Sequence, residues 1–420
     1  MGAEYPKSLY AETALAIAGY TALEGNADTD VCVIGAGITG LMAAITLLEA
    51  GKHVVVLEKN RVGWGASGRN GGQLIRGFPG QERFAKDPLW DDACIWAGHD
   101  LLRQRIKKYD IQCDFVGGWM ELAKTARQQK ALYKQYQFLS EAYPDRGWSY
   151  VDADRVQEET GSSEFKAGLL SHSDAHLHPL KLCQELARVV RELGGQIFEH
   201  TEVSAFSEGP SSVTIKTSTG SVEAGQLVVA ANVFNVLPML GLQGQAMASG
   251  SYIIATDPVS DDLRATLHKG SYALCNMDTV CDYFRVSADN RVIFGGRVNY
   301  SGRKPASIKK ELRPRMLRVW PQLADVEISH EWGGRLGVPL AQTPLAGQVS
   351  DHVWYACGYT GHGVNTGTLL GTAVASAIVA GDRMFDLFSR YKGWRLPLPE
   401  CVVQNTIALA AFYFVLRDRL

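Results

Sequence analysis

The segment Gly35-Ala36-Gly37-Ile38-Thr39-Gly40 constrains the fold of this chain more than any other. The apolar run Val31-Cys32-Val33-Ile34 stands directly before it, as a strand buried on both faces would. A helical pattern through Leu41, Ala44, Ile45 and Leu48 follows and is stopped by Gly51. Val54–Leu57 is a second apolar strand, ended by Glu58. The order is that of a βαβ unit with a right-handed crossover. Gly35 permits the tight turn, Gly37 lets the backbone approach a pyrophosphate, and Gly40 lets helix and strand pack closely. The helix start offers free N–H groups and the positive end of its dipole to phosphates. Glu58, with Lys59 beside it, is placed to accept ribose hydroxyls and would repel a 2′-phosphate.

After Glu58 the chain runs Arg61-Val62-Gly63-Trp64-Gly65-Ala66-Ser67-Gly68-Arg69-Asn70-Gly71-Gly72-Gln73. Such a loop exposes many backbone N–H groups. A nicotinamide enzyme has no use for it directly behind the ribose ligand. An extended flavin nucleotide can use it to cover the pyrophosphate and reach its ring, so the pattern points to FAD rather than NAD. A third glycine-rich turn, Cys357-Gly358-Tyr359-Thr360-Gly361-His362-Gly363-Val364-Asn365, follows the strand Val353–Cys357 and opens a helix running to Ala380. A helix start aimed at the flavin N1–C2=O edge stabilises the charge that appears there on reduction. Gly361 and Gly363 allow close approach. His362 reads equally as a functional group and as a loop residue bonded to backbone.

The chain has 420 residues, 46% of them hydrophobic, with 42 Lys and Arg against 44 Asp and Glu. That is enough for two or three domains and sizeable cores, and it excludes a disordered or fibrous chain. The net charge of −2 gives no basic field for nucleic acid. The cysteines show no CxxC pair and no disulfide-scaffold spacing, so they read as buried thiols of a reduced compartment. No targeting segment stands out. The apolar run Ile407–Leu416 is about half of the roughly 20 residues a membrane helix needs. The expectation is a soluble cytoplasmic protein without stable membrane insertion.

The expected fold is α/β: a discontinuous Rossmann-like FAD-binding domain (28–83, 161–245 and 345–385) and a mixed α+β substrate domain on an antiparallel sheet (84–160 and 246–344). Residues 1–27 read as a polar, helical lead-in and 386–420 as a tail packed on the body. Helices are expected over Asp92–Tyr109, Lys124–Tyr143 and Leu180–Leu193. Tyr283 and Arg285 alternate on one face of a strand. Arg285 is the first candidate for a bidentate clamp on a substrate carboxylate, with Arg297 and Arg335 as rivals. His172, Asp174, His176 and His178 resemble a metal cluster, but no second cluster completes a site, and no metal is expected.

With these loops, the segments His176-Leu177-His178-Pro179-Leu180, Asp282-Tyr283-Phe284-Arg285 and Ala288-Asp289-Asn290-Arg291 complete a resemblance over roughly 5–415. The chain resembles the D-amino-acid-oxidase/glycine-oxidase/sarcosine-oxidase superfamily of FAD amine oxidoreductases. Within it, the chain is similar to the γ-glutamylputrescine oxidoreductases of bacterial putrescine catabolism. The resemblance implies that Gly35, Gly37, Gly40 and Glu58 hold the ADP half of FAD. Ser67, Arg69, Asn70 and Gly72 would line the stretch from pyrophosphate to ring, with Gln73 beside the isoalloxazine. Val203, Ala230 and Ala231 would lie near the ADP moiety, and Gly361, Gly363 and Val364 near the pyrimidine edge. Some relatives attach FAD through a cysteine before the last strand. The segment Gly333–Gly347 has none, which implies non-covalent FAD.

The implied reaction oxidises the primary amine of a γ-glutamylated small molecule. Hydride passes to flavin N5, the imine hydrolyses to aldehyde and ammonia, and oxygen (giving peroxide) or another acceptor takes the electrons. Gln73, Tyr283, Arg285 and His362 are the candidate catalytic residues. An amine entering deprotonated needs no strong general base. Oxidation or demethylation of a free or N-methyl amino acid is the alternative substrate reading. A flavoprotein domain for RNA modification or a non-catalytic role is the alternative class.

Overall fold

A computed structural model describes residues 4–232, 240–299, 305–391 and 393–395, the side chains of 297–299 excepted. The tail beyond 395, with the apolar run and the last five residues, lies outside them.

Two sheets organise the chain. The first runs in the order Leu345–Ser350, Val353–Cys357, Gly220–Val229, Gly25–Ile34, Val54–Leu57 and Gln196–Phe198, with Val203–Glu208 and Val213–Thr217 added beside Gly220–Val229. Its centre is parallel: Val31–Ile34 pairs with Val54–Leu57 on one side and with Gln226–Val229 on the other. The helices Ile38–Glu49, Pro179–Glu192 and Gly363–Ala380 cover one face. Val31, Val33, Val54 and Val56 point into that layer, while Cys32, Ile34, Val55 and Leu57 point into a second apolar cluster on the opposite face. This two-sided burial is why the strands read as unbroken apolar runs. Gly363–Ala380 is the one described helix long and apolar enough to cross a membrane, and most of it is buried inside the chain against Ile38–Glu49 and Ala93–Lys108.

The second sheet runs in the order Ile328–Pro339, Ala246–Thr256, Val292–Asn299, Tyr283–Val286, Ala273–Asn276, Val116–Ala123, Ala167–His176 and Gln73–Leu74, with Trp148–Val151 also on Ala167–His176. One face carries Met120, Leu122, Leu274, Phe284 and Phe294 into a core closed by the helix Ile308–Val319 and by Trp320. The expected antiparallel sheet is corrected at one point, because Ala273–Asn276 runs parallel to Trp119–Leu122. Two segments expected in the nucleotide-binding unit also pair here. Ala167–His176 lies antiparallel to Val116–Ala123, and Gln73–Leu74 pairs with its end at Ala175 and His176. Long-range pairing decided this, and strand periodicity does not encode it.

The expected helices appear within a residue or two of their limits, as Ala93–Lys108, Ala126–Ala142 and Pro179–Glu192. The lead-in departs from its reading as a polar segment. Its one described helix, Leu9–Glu12, is a single turn, and Leu9 and Tyr10 are buried beside Ile253, Ile293 and Trp332.

Candidate functional site

A cavity of about 1050 Å³ opens between the two sheets. On one side it is lined by Gly35, Gly37, Ile38 and Thr39, by Glu58 to Asn60, by Trp64 to Ser67, by Arg69 and Asn70, and by Thr201 to Val203 with Ala230 to Asn232. On the other lie Ala248 to Gly250, Tyr252 and the strand segment Glu331 to Gly337. Tyr359, Thr360, Gly361 and Gly363 close one end. Of the residues expected to hold FAD, the structure therefore brings Gly35, Gly37, Glu58, Lys59, Ser67, Arg69, Asn70, Val203, Ala230, Gly361 and Gly363 to a single cavity.

The local geometry follows from the sequence. Gly35 has φ +106°, and a Cβ there would meet the Ala230 carbonyl oxygen at 2.9 Å. A Cβ on Gly37 would meet Ser67 Oγ at 2.7 Å. Ser67 is that close because its Oγ accepts the Ile38 N–H at 3.0 Å, which fastens the second glycine loop to the helix start. Glu58 accepts the N–H groups of Ala36 and Asn60, both at 2.9 Å. Burial nonetheless pushes its carboxyl above the usual range, against those two hydrogen bonds. Each oxygen keeps a lone pair for a ribose hydroxyl.

Buried polar atoms without partners test whether a ligand belongs here. On the walls of this cavity Arg69 Nη2, Ser249 Oγ and Thr360 Oγ1 have none among the described residues. Arg69 is fixed by Nε donating to the Trp64 carbonyl at 2.7 Å and by stacking of its guanidinium 4.1 Å over the Trp64 ring. Burial without a carboxylate partner lowers its pKa to about 10. A cation held in that way suits a pyrophosphate. The helix Gly363–Ala380 has no side-chain cap, so its first N–H groups stay available at the Gly361–Gly363 end. The residues present fit FAD: an acidic ribose acceptor, two helix starts, and three orphaned polar atoms, one of them on an arginine without a carboxylate partner.

Other expected ligands serve as packing. A Cβ on Gly40 would overlap the Gly35 carbonyl oxygen, and one on Gly72 the Leu177 carbonyl oxygen. Val364 is buried in the helical layer. Gln73 does not line the cavity: its Nε2 donates to the Leu274 carbonyl and its Oε1 accepts from Trp119 Nε1, both at 3.2 Å. His362 is exposed at the start of its helix.

Arg285 requires a correction. It is 6% exposed and lines no part of the cavity. Its Nε donates to the Gly71 carbonyl, and its Nη2 to the Leu177 carbonyl and Tyr10 Oη, each at 3.3 Å. The guanidinium braces the loop end and the lead-in instead of meeting solvent. Arg335 is exposed on the cavity wall and forms no ion pair with any described residue. Arg297 lies outside the described side chains. Tyr283 packs its ring over Gly71 and Gly295, and its Oη lies 3.1 Å from Ser251 Oγ.

The four-residue cluster that resembles a metal site is dispersed among other partners. Asp174 pairs with Arg76 at 2.5 Å, and His176 Nε2 donates to the Ser271 carbonyl at 2.6 Å. His178 caps the helix Pro179–Glu192, and His172 lies 3.1 Å from Ser149 Oγ.

The reading of the residues missed Trp332, Tyr252 and Ser249. The run Trp332-Gly333-Gly334-Arg335 was the available signal for the first, since small residues beside an aromatic leave room on a strand face.

Comparisons with known proteins agree with this geometry. Residues 30–377 match the family described as FAD dependent oxidoreductase (DAO). The chain is 33% identical to the gamma-glutamylputrescine oxidoreductase of Escherichia coli K12 over 426 aligned residues, 99% of each chain. It is 36% identical to the probable oxidoreductase OrdL of Haemophilus influenzae over 86% of each chain. Glycine oxidase from Geobacillus kaustophilus shares the fold, with a TM-score of 0.73 at 19% identity, covering 87% of this chain and 100% of that one. With a match across most of its length, the chain belongs to the DAO family of FAD-dependent oxidoreductases.

Proposed function

We propose that this enzyme oxidises the terminal primary amine of a γ-glutamylated diamine such as γ-glutamylputrescine. The observation that carries the reading is Arg335, an exposed guanidinium on the cavity wall that forms no ion pair with a described residue, close in sequence to Trp332. Its planar fork suits the α-carboxylate of the glutamyl group, and Trp332 and Tyr252 offer apolar surface to a methylene chain. Near-complete overlap with the Escherichia coli enzyme supports the same substrate class.

Bound FAD would supply the oxidising chemistry, the uptake of a hydride from the carbon beside the amine. The substrate leaves as an imine that water converts to aldehyde and ammonia. The chain's own work is to orient and to exclude water. Arg335 holds the carboxylate, and the glycine loops fix the nucleotide. Tyr283, packed over Gly71 and Gly295, blocks solvent from that side of the loop. Oxygen or another acceptor regenerates the oxidised enzyme. We propose non-covalent FAD, since no cysteine among the described residues lines the cavity. Acid precipitation should release all of the flavin into the supernatant.

The test is a panel under air: γ-glutamylputrescine, free putrescine, glycine, sarcosine and D-alanine, with aldehyde, ammonia and peroxide measured. Aldehyde and ammonia in equal amounts from the glutamylated amine alone support the proposal. Turnover of an amino acid instead favours the second reading, for which the shared glycine oxidase fold is the specific observation.

A further inference from the structure

Glu121 is a deep carboxylate with no cation of its own. It lies on the strand Val116–Ala123, opposite Cys275, which in turn lies opposite Tyr283. Register partners share a face, so all three side chains lie on the side of the second sheet away from the Met120–Phe284 core. Each keeps accessible surface, even though burial disfavours the charged forms of Glu121 and Tyr283, and the contact with Cys281, then burial, that of Cys275. Side chains that are half-buried at this depth mark an internal hollow next to the cavity, although none of the three lines the cavity itself. Tyr283 places this hollow beside the cavity, since its ring abuts Gly71, next to cavity-lining Asn70, and its Oη meets Ser251 between Gly250 and Tyr252.

The groups facing Glu121 are Arg76, Asp174 and Cys275, with Cys281 beside Cys275, and the neutral Gln135 from the helix Ala126–Ala142. Arg76 is already committed. Its backbone N–H and its Nη1 both reach Asp174, at 2.8 and 2.5 Å, and its guanidinium lies 4.5 Å from the Trp148 ring centre. Asp174 is fully buried and holds the ion pair with Arg76, which acts on Glu121 only through space. Among the described residues Glu121 forms no ion pair; its side-chain partner is the neutral amide of Gln135, through a hydrogen bond. A desolvated carboxylate in this position is costly unless something brings a positive charge or a proton.

We propose that Glu121 receives the ammonium group of the amine substrate and takes one proton from it. One N–H bond breaks and one carboxyl O–H forms, leaving a neutral amine in the hollow. This rests on the amine-oxidation reading and supplies what it needs, since only the neutral amine gives up a hydride readily. The ligand class is a primary ammonium on an unbranched chain. Glu121 would supply the base that an amine entering deprotonated does not need.

The experiment compares wild-type holoenzyme with Glu121→Gln and Glu121→Asp, each first checked for flavin content and melting temperature. The substrate is γ-glutamylputrescine, and the inhibitor is γ-glutamylbutylamide, its neutral counterpart. Removing one partner of a buried charge pair should lower kcat/KM of Glu121→Gln by about 100-fold or more. Inhibition by the neutral compound should not change. The acid limb of the kcat/KM profile should move up to the pKa of the free substrate amine, about 10, in Glu121→Gln and stay near its wild-type position in Glu121→Asp. Unchanged kcat/KM and an unchanged acid limb in Glu121→Gln would overturn the proposal. Failure of the wild type to oxidise any γ-glutamylated amine would sink the substrate reading alone. Calorimetric titration with n-butylammonium then decides the role of Glu121 without turnover. Binding lost in Glu121→Gln supports it, whereas equal binding, or none in either protein, overturns it.

Discussion

Thr39 Oγ1 donates to Tyr359 Oη at 2.8 Å, joining the first glycine turn to the last across 320 residues of sequence. Both side chains belong to residues that line the cavity, and Tyr359 is almost fully buried. The two helix starts that face the nucleotide are thus held to each other. A double-mutant cycle with Thr39→Val and Tyr359→Phe should give a coupling energy of about 0.5–1.5 kcal/mol by denaturant unfolding. Additive single effects would mean that the bond does not join the loops.

Gly35→Ala should cost about 1–3 kcal/mol of stability, because φ +106° is strained for any side chain and the Ala230 carbonyl stands in the way. The variant should also purify with less flavin. The ratio of visible to ultraviolet absorbance, read beside a thermal melt, checks both effects.

Arg69→Met removes the one guanidinium of the glycine loop that lacks a carboxylate, and its stacking on Trp64 should survive in part as apolar contact. A lost charge-assisted hydrogen bond is worth about 1.5–3 kcal/mol, so FAD affinity should fall by roughly 10- to 150-fold. Equilibrium dialysis against FAD measures it. Loss of the bond to the Trp64 carbonyl should cost the apoprotein about 0.5–1.5 kcal/mol of stability, less than the loss in FAD binding.

Arg285→Met and Arg335→Met should separate structural from substrate roles. The first leaves the carbonyls of Gly71 and Leu177 without their donor in a buried place, and should cost about 2–4 kcal/mol of stability. The second should leave stability within about 0.5 kcal/mol, as exposed substitutions do. It should raise KM for a carboxylate-bearing amine by at least tenfold, the effect of losing about 1.4 kcal/mol. Steady-state kinetics and urea unfolding on both variants distinguish them.

Acid should destabilise the fold through His176 and His178. Burial, with Arg285 nearby, lowers both to about 3 from an unfolded value of 6.5. His178 must be neutral, since its Nδ1 accepts the Lys181 N–H at 3.1 Å while Nε2 lies 3.0 Å from Thr13 Oγ1. Above pH 6.5 both states hold the rings neutral. Between 6.5 and 3 the unfolded chain binds protons that the folded chain does not, so stability falls as pH falls. Each ring contributes a slope of up to about 1.4 kcal/mol per pH unit. His178→Asn keeps a capping side chain and should remove one ring's share of that slope in urea midpoints measured from pH 7 to 5.

The nucleotide-facing half of the site was legible because its determinants are local. Gly35, Gly37 and Ser67 act through turns and helix starts that short segments encode, and strands buried on both faces announce themselves as apolar runs. The substrate-facing half was not. Arg285 and Arg335 look alike in sequence, and which of them meets the cavity depends on Tyr10, brought in from a lead-in that reads as polar. Glu121 gains meaning only from Cys275 and Tyr283 across two strand pairings, one of them parallel. Such pairings depend on the whole sheet, and strand propensity carries no record of them.

The most direct test is anaerobic titration of the purified yellow enzyme with γ-glutamylputrescine, followed at the visible flavin bands. The expected result is complete bleaching at one equivalent of substrate per flavin, with none from free putrescine at the same concentration. Bands that persist with γ-glutamylputrescine and bleach with glycine or sarcosine would contradict the proposed substrate while leaving the family and its cofactor in place.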